Sequence, residues 1–124
     1  DSNFYPIFYC PNQKYFLIEA RCRYTTASTS GTLTVEKLSN GVTKGSGLSM
    51  LASTFDLSLG ANIIQLRGAT SVLAGTQLNP GDCVALRPRG TLTGLRDLNV
   101  TCLFGIDMKN LAKGQSVSSV LSGL

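Results

Sequence analysis

The chain has 124 residues, 43% of them hydrophobic and 15% charged, with a formal net charge of +4. That is one domain with enough apolar side chain to bury a core, which excludes a disordered polyelectrolyte, and no apolar run approaches the ~18–20 residues of a spanning helix. Histidine is absent, so neither a Ser-His-Asp nor a Cys-His nucleophile can be built from this chain alone.

Residues 4–10 (FYPIFYC) are aromatic and extended, and the prolines at positions 6 and 11 suit an edge strand or an arm rather than a central strand. They lack the basic start and apolar middle of a signal peptide, and Asp1 in place of an initiator methionine reads as processing or trimming. Residues 12–14 make a turn. Residues 15–24 alternate as a strand, with Phe16, Ile18, Ala20, Cys22 and Tyr24 on one face and Leu17, Glu19, Arg21 and Arg23 on the other.

A polar loop at 25–31 leads to a strand at 32–38, closed by Ser39-Asn40-Gly41, a strong hairpin signal. Residues 42–51 read as a weaker strand interrupted by Gly45 and Gly47, and 53–59 and 62–67 as two more. A short segment at 71–74 precedes the Asn79-Pro80-Gly81-Asp82 turn. The last two strands, 83–89 and 98–106, flank a loop rich in Gly and Thr. Val84 and Leu86 face one side, and Leu98, Val100, Cys102, Phe104 and Ile106 share a face in the second. About eight strands with regular turns and no amphipathic helix predict an all-β, single-domain sandwich of jelly-roll type over 1–124. Extended arms are expected at about 1–13 and 109–124. The arm residues expected to touch partners are Phe4, Tyr5, Phe8, Tyr9, Leu111, Val117, Val120, Leu121 and Leu124.

The eleven Lys and Arg are scattered, without the stripe that nucleic acids require, so the pairs Arg21/Arg23 and Arg87/Arg89 read as solvated or subunit-facing sheet surface. No nucleic-acid or membrane partner is expected. The four cysteines lack a C-x2-C knuckle, which argues against zinc. Cys22 and Cys102 read as reduced core thiols, with a bridge between them feasible only on neighbouring strands in an oxidising setting.

Among seven acids, Glu19 and Glu36 could lie on adjacent strands, but each has a basic neighbour (Arg21, Lys37) and reads as half of a surface pair. Asp82 reads as a turn cap rather than a calcium ligand. Asn99-Val100-Thr101 is a glycosylation sequon inside a strand. No catalytic residue, cofactor or metal is expected, a small-molecule ligand is not anticipated, and the chain does not read as an enzyme.

The pattern L-x-x-G-D-x-V-A-L-x-x-x-G-T-L-T-G-L-x-x-L-x-V-T, at residues 78–101, resembles the C-terminal half of small virion proteins of tailed bacteriophages, of the capsid decoration (cement) or head accessory type. The resemblance extends over about residues 4–106, through the aromatic opening, the long strand at 16–24 and the G-T-L-T-V-E-K-L strand with its N-G turn. It implies a jelly-roll module that forms a homotrimer, binds the major capsid protein at three-fold positions of the shell and stabilises it. Its place would be the virion surface, after assembly in the bacterial cytoplasm. A glycan-binding jelly roll of a fibre or secreted protein is an alternative, kept open by Tyr5, Tyr9 and Tyr15, and a head–tail or tail accessory protein is another.

Overall fold

The computed structural model describes residues 5–43 and 46–106. In chain order these carry β1 (Tyr5–Tyr9), β2 (Tyr15–Arg23), β3 (Thr32–Leu38), β4 (Leu48–Ser49), β5 (Phe55–Asp56) and β6 (Gln65–Gly68). A single helical turn, α1 (Leu73–Thr76), is followed by β7 (Gln77–Leu78), β8 (Cys83–Arg89) and β9 (Asn99–Ile106). All pairings between strands are antiparallel. One sheet runs β1-β8-β3-β4, with β5 also on β3; the other is built on β2, with β9 along one edge and β6 and β7 along the other. The protein is an all-β sandwich. β2 pairs with β9 and β3 with β8, so early strands lie beside late ones, as in a jelly-roll-like sandwich.

Leu33 and Val35 of β3, Val84 of β8, and Leu17, Ala20 and Cys22 of β2 meet in the core with Tyr24, Phe55, Leu57 and Leu78. The Tyr24 hydroxyl donates to the carbonyls of Leu59 (2.8 Å) and Asp56 (3.2 Å), so this large buried ring keeps its polar end satisfied.

The facing of β2 differs from the expected alternation. The ladder with β9 steps from Leu17↔Phe104 to Glu19↔Leu103, so Ile18 is an extra residue. Such a bulge reverses which side chains point inward. Leu17 therefore joins Ala20, Cys22 and Tyr24 inside, while Phe16 and Ile18 turn outward with Arg21 and Arg23.

Glu36 and Lys37 are likewise not a surface pair, because successive strand residues face opposite ways. Lys37 is buried and reaches the other sheet, its Nζ donating to the Gln77 carbonyl at 2.8 Å. Glu36, only 4% exposed, accepts from Arg87 Nη1 at 2.9 Å. Glu19 does pair with Arg21, at 2.8 Å on the surface.

The turns at 39–42 and 79–82 form, but the first does not close the tight hairpin expected of Asn-Gly, because Lys37 pairs with Leu48. Gly41 has φ +87° in the Asn-Gly turn, and Asp82 Oδ2 accepts from the Asn79 amide at 2.8 Å. Among the described residues, segment 42–51 contributes a two-residue strand, Leu48 and Ser49, and an isolated bridge from Leu51 to Ala69. Gly90 ends β8 with φ +80°, and a Cβ there would lie 2.6 Å from the Ser30 carbonyl oxygen. Gly90→Ala should therefore cost on the order of 1–3 kcal/mol, read as a lower urea midpoint with an unchanged slope.

The two flanks of the sandwich differ. On one, the sheets are laced together: Ala52 N donates to Gly68 O, Thr70 N to Met50 O, and Gln65 Nε2 to Asp56 O at 2.6 Å. On the other lie the outer edges of β1 and β9, and no strand among the described residues pairs with either.

Candidate interaction surface

The open flank is built from two unlike edges. β1 is blunted: Pro6 cannot donate to a ladder, and the step from Pro6↔Ala85 to Phe8↔Val84 makes Ile7 a bulge. β9 carries neither device. Its residues 99–106 (NVTCLFGI) contain no charge and no proline, and it pairs along its whole length with β2. Every second residue of the eight thus turns its backbone donor and acceptor to an outer edge of the kind that soluble proteins ordinarily shield.

Beside that edge the outward face of the sheet is apolar. Phe16, Ile18, Leu66 and Leu103 are each 39–50% exposed. The Phe16 ring lies across the backbone of Gly105, where a Cβ would sit 2.5 Å from its Cζ. A glycine opposite an aromatic lets the ring shield the strand. Bulge and glycine together put an aromatic and a β-branched side chain on the surface, where a grouped apolar patch marks contact with another macromolecule.

At the far end of this face a hollow of about 420 Å³ is lined by Arg21, Arg23, Ile64, Asp97, Asn99 and Thr101. Asp97 adopts φ +55°, and its Oδ2 accepts from Thr25 Oγ1 at 2.6 Å. Its groups can hydrogen-bond a polar ligand; Tyr24 also lines it, but that ring is only 1% exposed.

Of the residues expected to act as arms, Tyr5 and Tyr9 are exposed on β1. Phe8 is engaged within its own chain, stacked on Phe104 at 4.9 Å and edge-on to Tyr15 at 5.6 Å. Phe4, Leu111, Val117, Val120, Leu121 and Leu124 lie outside the described residues. Phe16, Ile18, Leu66 and Leu103 were not singled out by sequence, since their exposure follows from a bulge and a strand order that no local pattern encodes.

Cys22 and Cys102 sit on neighbouring strands but not opposite each other: Cys22 faces Val100 and Cys102 faces Ala20. All four cysteines are free. Burial pushes Cys22 and Cys102 up to about 11 from an ordinary 9.0. In the unfolded chain these thiols ionise first, so their contribution is intact below pH 9 and is lost as pH rises toward 11. Stability should fall across that window, and less steeply in a Cys22→Ala/Cys102→Ala variant, as read by urea midpoints at stepped pH.

Among the described residues no group of three acids or cysteines could hold a metal ion, and no helix is long and apolar enough to cross a membrane. No protein-family model matches this chain, and comparison with curated proteins and with solved structures finds no match.

Proposed function

We propose that this chain is a structural virion protein that decorates and cements a bacteriophage capsid shell, acting as a homotrimer bound to the major capsid protein. The observation that carries the reading is the apolar outer face of Phe16, Ile18, Leu66 and Leu103 on a sandwich closed on its other flank. Such a face gains by being covered, at roughly 25 cal/mol per Å² of apolar surface removed from water, and a rigid sandwich presents it without ordering cost. The sequence pattern at 78–101 supports the virion setting. Its scaffold role there is concrete: β8 supplies Val84 to the core and Arg87 to the ion pair with Glu36.

The mechanism in this reading needs no chemistry at a reacting bond. A subunit that binds the assembled shell, and not its dissociated parts, stabilises the shell by its binding free energy. Many copies on one lattice add modest contacts into a large total. A glycan-binding module is the second reading, favoured by the hollow around Arg23, Asp97 and Asn99. The test is sedimentation of the purified chain with shells assembled from the major capsid protein of the virus that encodes it. Co-sedimentation that is lost in Ile18→Asp, together with a raised rupture temperature of the shells, is the expected result. A chain that stays at the top of the gradient and binds glycans through Asp97 would replace the first reading by the second.

A further inference from the structure

We infer that the β9 edge is a docking surface for a second copy of this chain, which adds its own β9 antiparallel and extends the β2-based sheet across two subunits. The contact is distinct from the three-fold contact proposed above and does not depend on the virion reading.

Three observations select this edge and this occupant. First, of the two strands on the open flank, β1 is blunted by Pro6 and its bulge, whereas β9 is an unbroken run of eight residues that, among the described residues, is paired on one side only. Second, charge permits self-association there. The chain carries +4 overall, yet residues 99–106 carry no charge, so two copies meet at this edge without like charges directly opposed. The exposed Arg21 alongside is already held by Glu19 at 2.8 Å.

Third, the strand is self-complementary. β9 itself contains no bulge, so its odd residues, Thr101, Leu103 and Gly105, face outward and its even ones, Val100, Cys102 and Phe104, face the core. A two-fold axis beside the strand pairs odd with odd and even with even, which is the requirement for a continuous antiparallel sheet. Leu103 and Leu103 of the second copy then fall close together near the axis, and the apolar outer faces of both subunits merge into one surface. An identical strand supplies both the backbone bonds and this alternation.

The test is the mass of the full chain by light scattering over a range of concentrations, beside a Thr101→Lys/Leu103→Lys variant. Both positions are exposed, so the variant should keep its near-ultraviolet circular dichroism and melting temperature; Thr101→Lys alone serves if the pair fails to fold. The expected result is a mass twice that of the 13.1 kDa chain, or six times it where the three-fold contact also forms, halved by the substitutions. A monomer, a plain trimer, or an even-numbered oligomer that the lysines leave intact overturns the inference. A plain trimer would do so while leaving the proposed function standing, and a dimer that ignores shells would do the reverse. If the full chain is monomeric and removal of residues 107–124 produces the dimer, the chain's own C-terminal segment covers the edge and the inference also fails.

Discussion

Phe55→Ala should lose about 3–5 kcal/mol of folding stability, the cost of a large buried ring replaced by a methyl group and a cavity. Phe55 is fully buried, opposite Leu33 where β5 joins β3, and its ring lies 5.4 Å beneath the Arg67 guanidinium. Removing the ring therefore loosens the core and also the laced flank, because Arg67 Nε donates to Thr54 O one residue before it. Domains of this size are stable by roughly 5–15 kcal/mol, so the variant should lose a large share of its stability and melt well below the parent. Urea unfolding measures it directly. A change below about 1 kcal/mol would mean that the site collapses freely and that Phe55 is not central to the core.

Arg87→Ala should be of similar size for a different reason. Glu36 is 4% exposed, its Oε1 accepts from Arg87 Nη1, and its Oε2 has no hydrogen-bond partner among the described residues. Loss of the guanidinium leaves a carboxylate away from water without its counter-charge, and breaking a buried pair from one side costs about 3–5 kcal/mol. The double variant Glu36→Leu/Arg87→Leu removes both charges and should recover most of that loss, since apolar residues of similar volume often replace such a pair without penalty. The comparison separates a charge effect from a packing effect. Equal loss in single and double variants would show that Arg87 matters for its stem and not for its charge.

Much of this sandwich is legible in the sequence. The strands at 32–38 and 83–89 were read with the bounds they have, because each combines alternation with turn residues at its ends. The Asp82 cap followed from a short acceptor after Pro-Gly. The facing of β2 was not legible: residues 15–24 alternate without a break, and nothing in FLIEA marks Ile18 as the extra residue. The partner of Glu36 was missed for a related reason, since Arg87 lies 51 residues away and only strand order brings it opposite. The candidate surface depends on the same two non-local facts, the bulge and the placing of β9 at an edge. Charge and proline content did mark β9 as unprotected, but only once its neighbours were known.

The most direct test of the account is amide hydrogen exchange across residues 99–106 at low and high protein concentration. If a second β9 closes this edge, the outward-pointing amides of β9 exchange quickly in dilute solution and become protected as concentration rises, while those of β1 do not change. Rapid exchange along the outer side of β9 at every concentration would contradict it, because the edge would then be open to water with no second strand to close it.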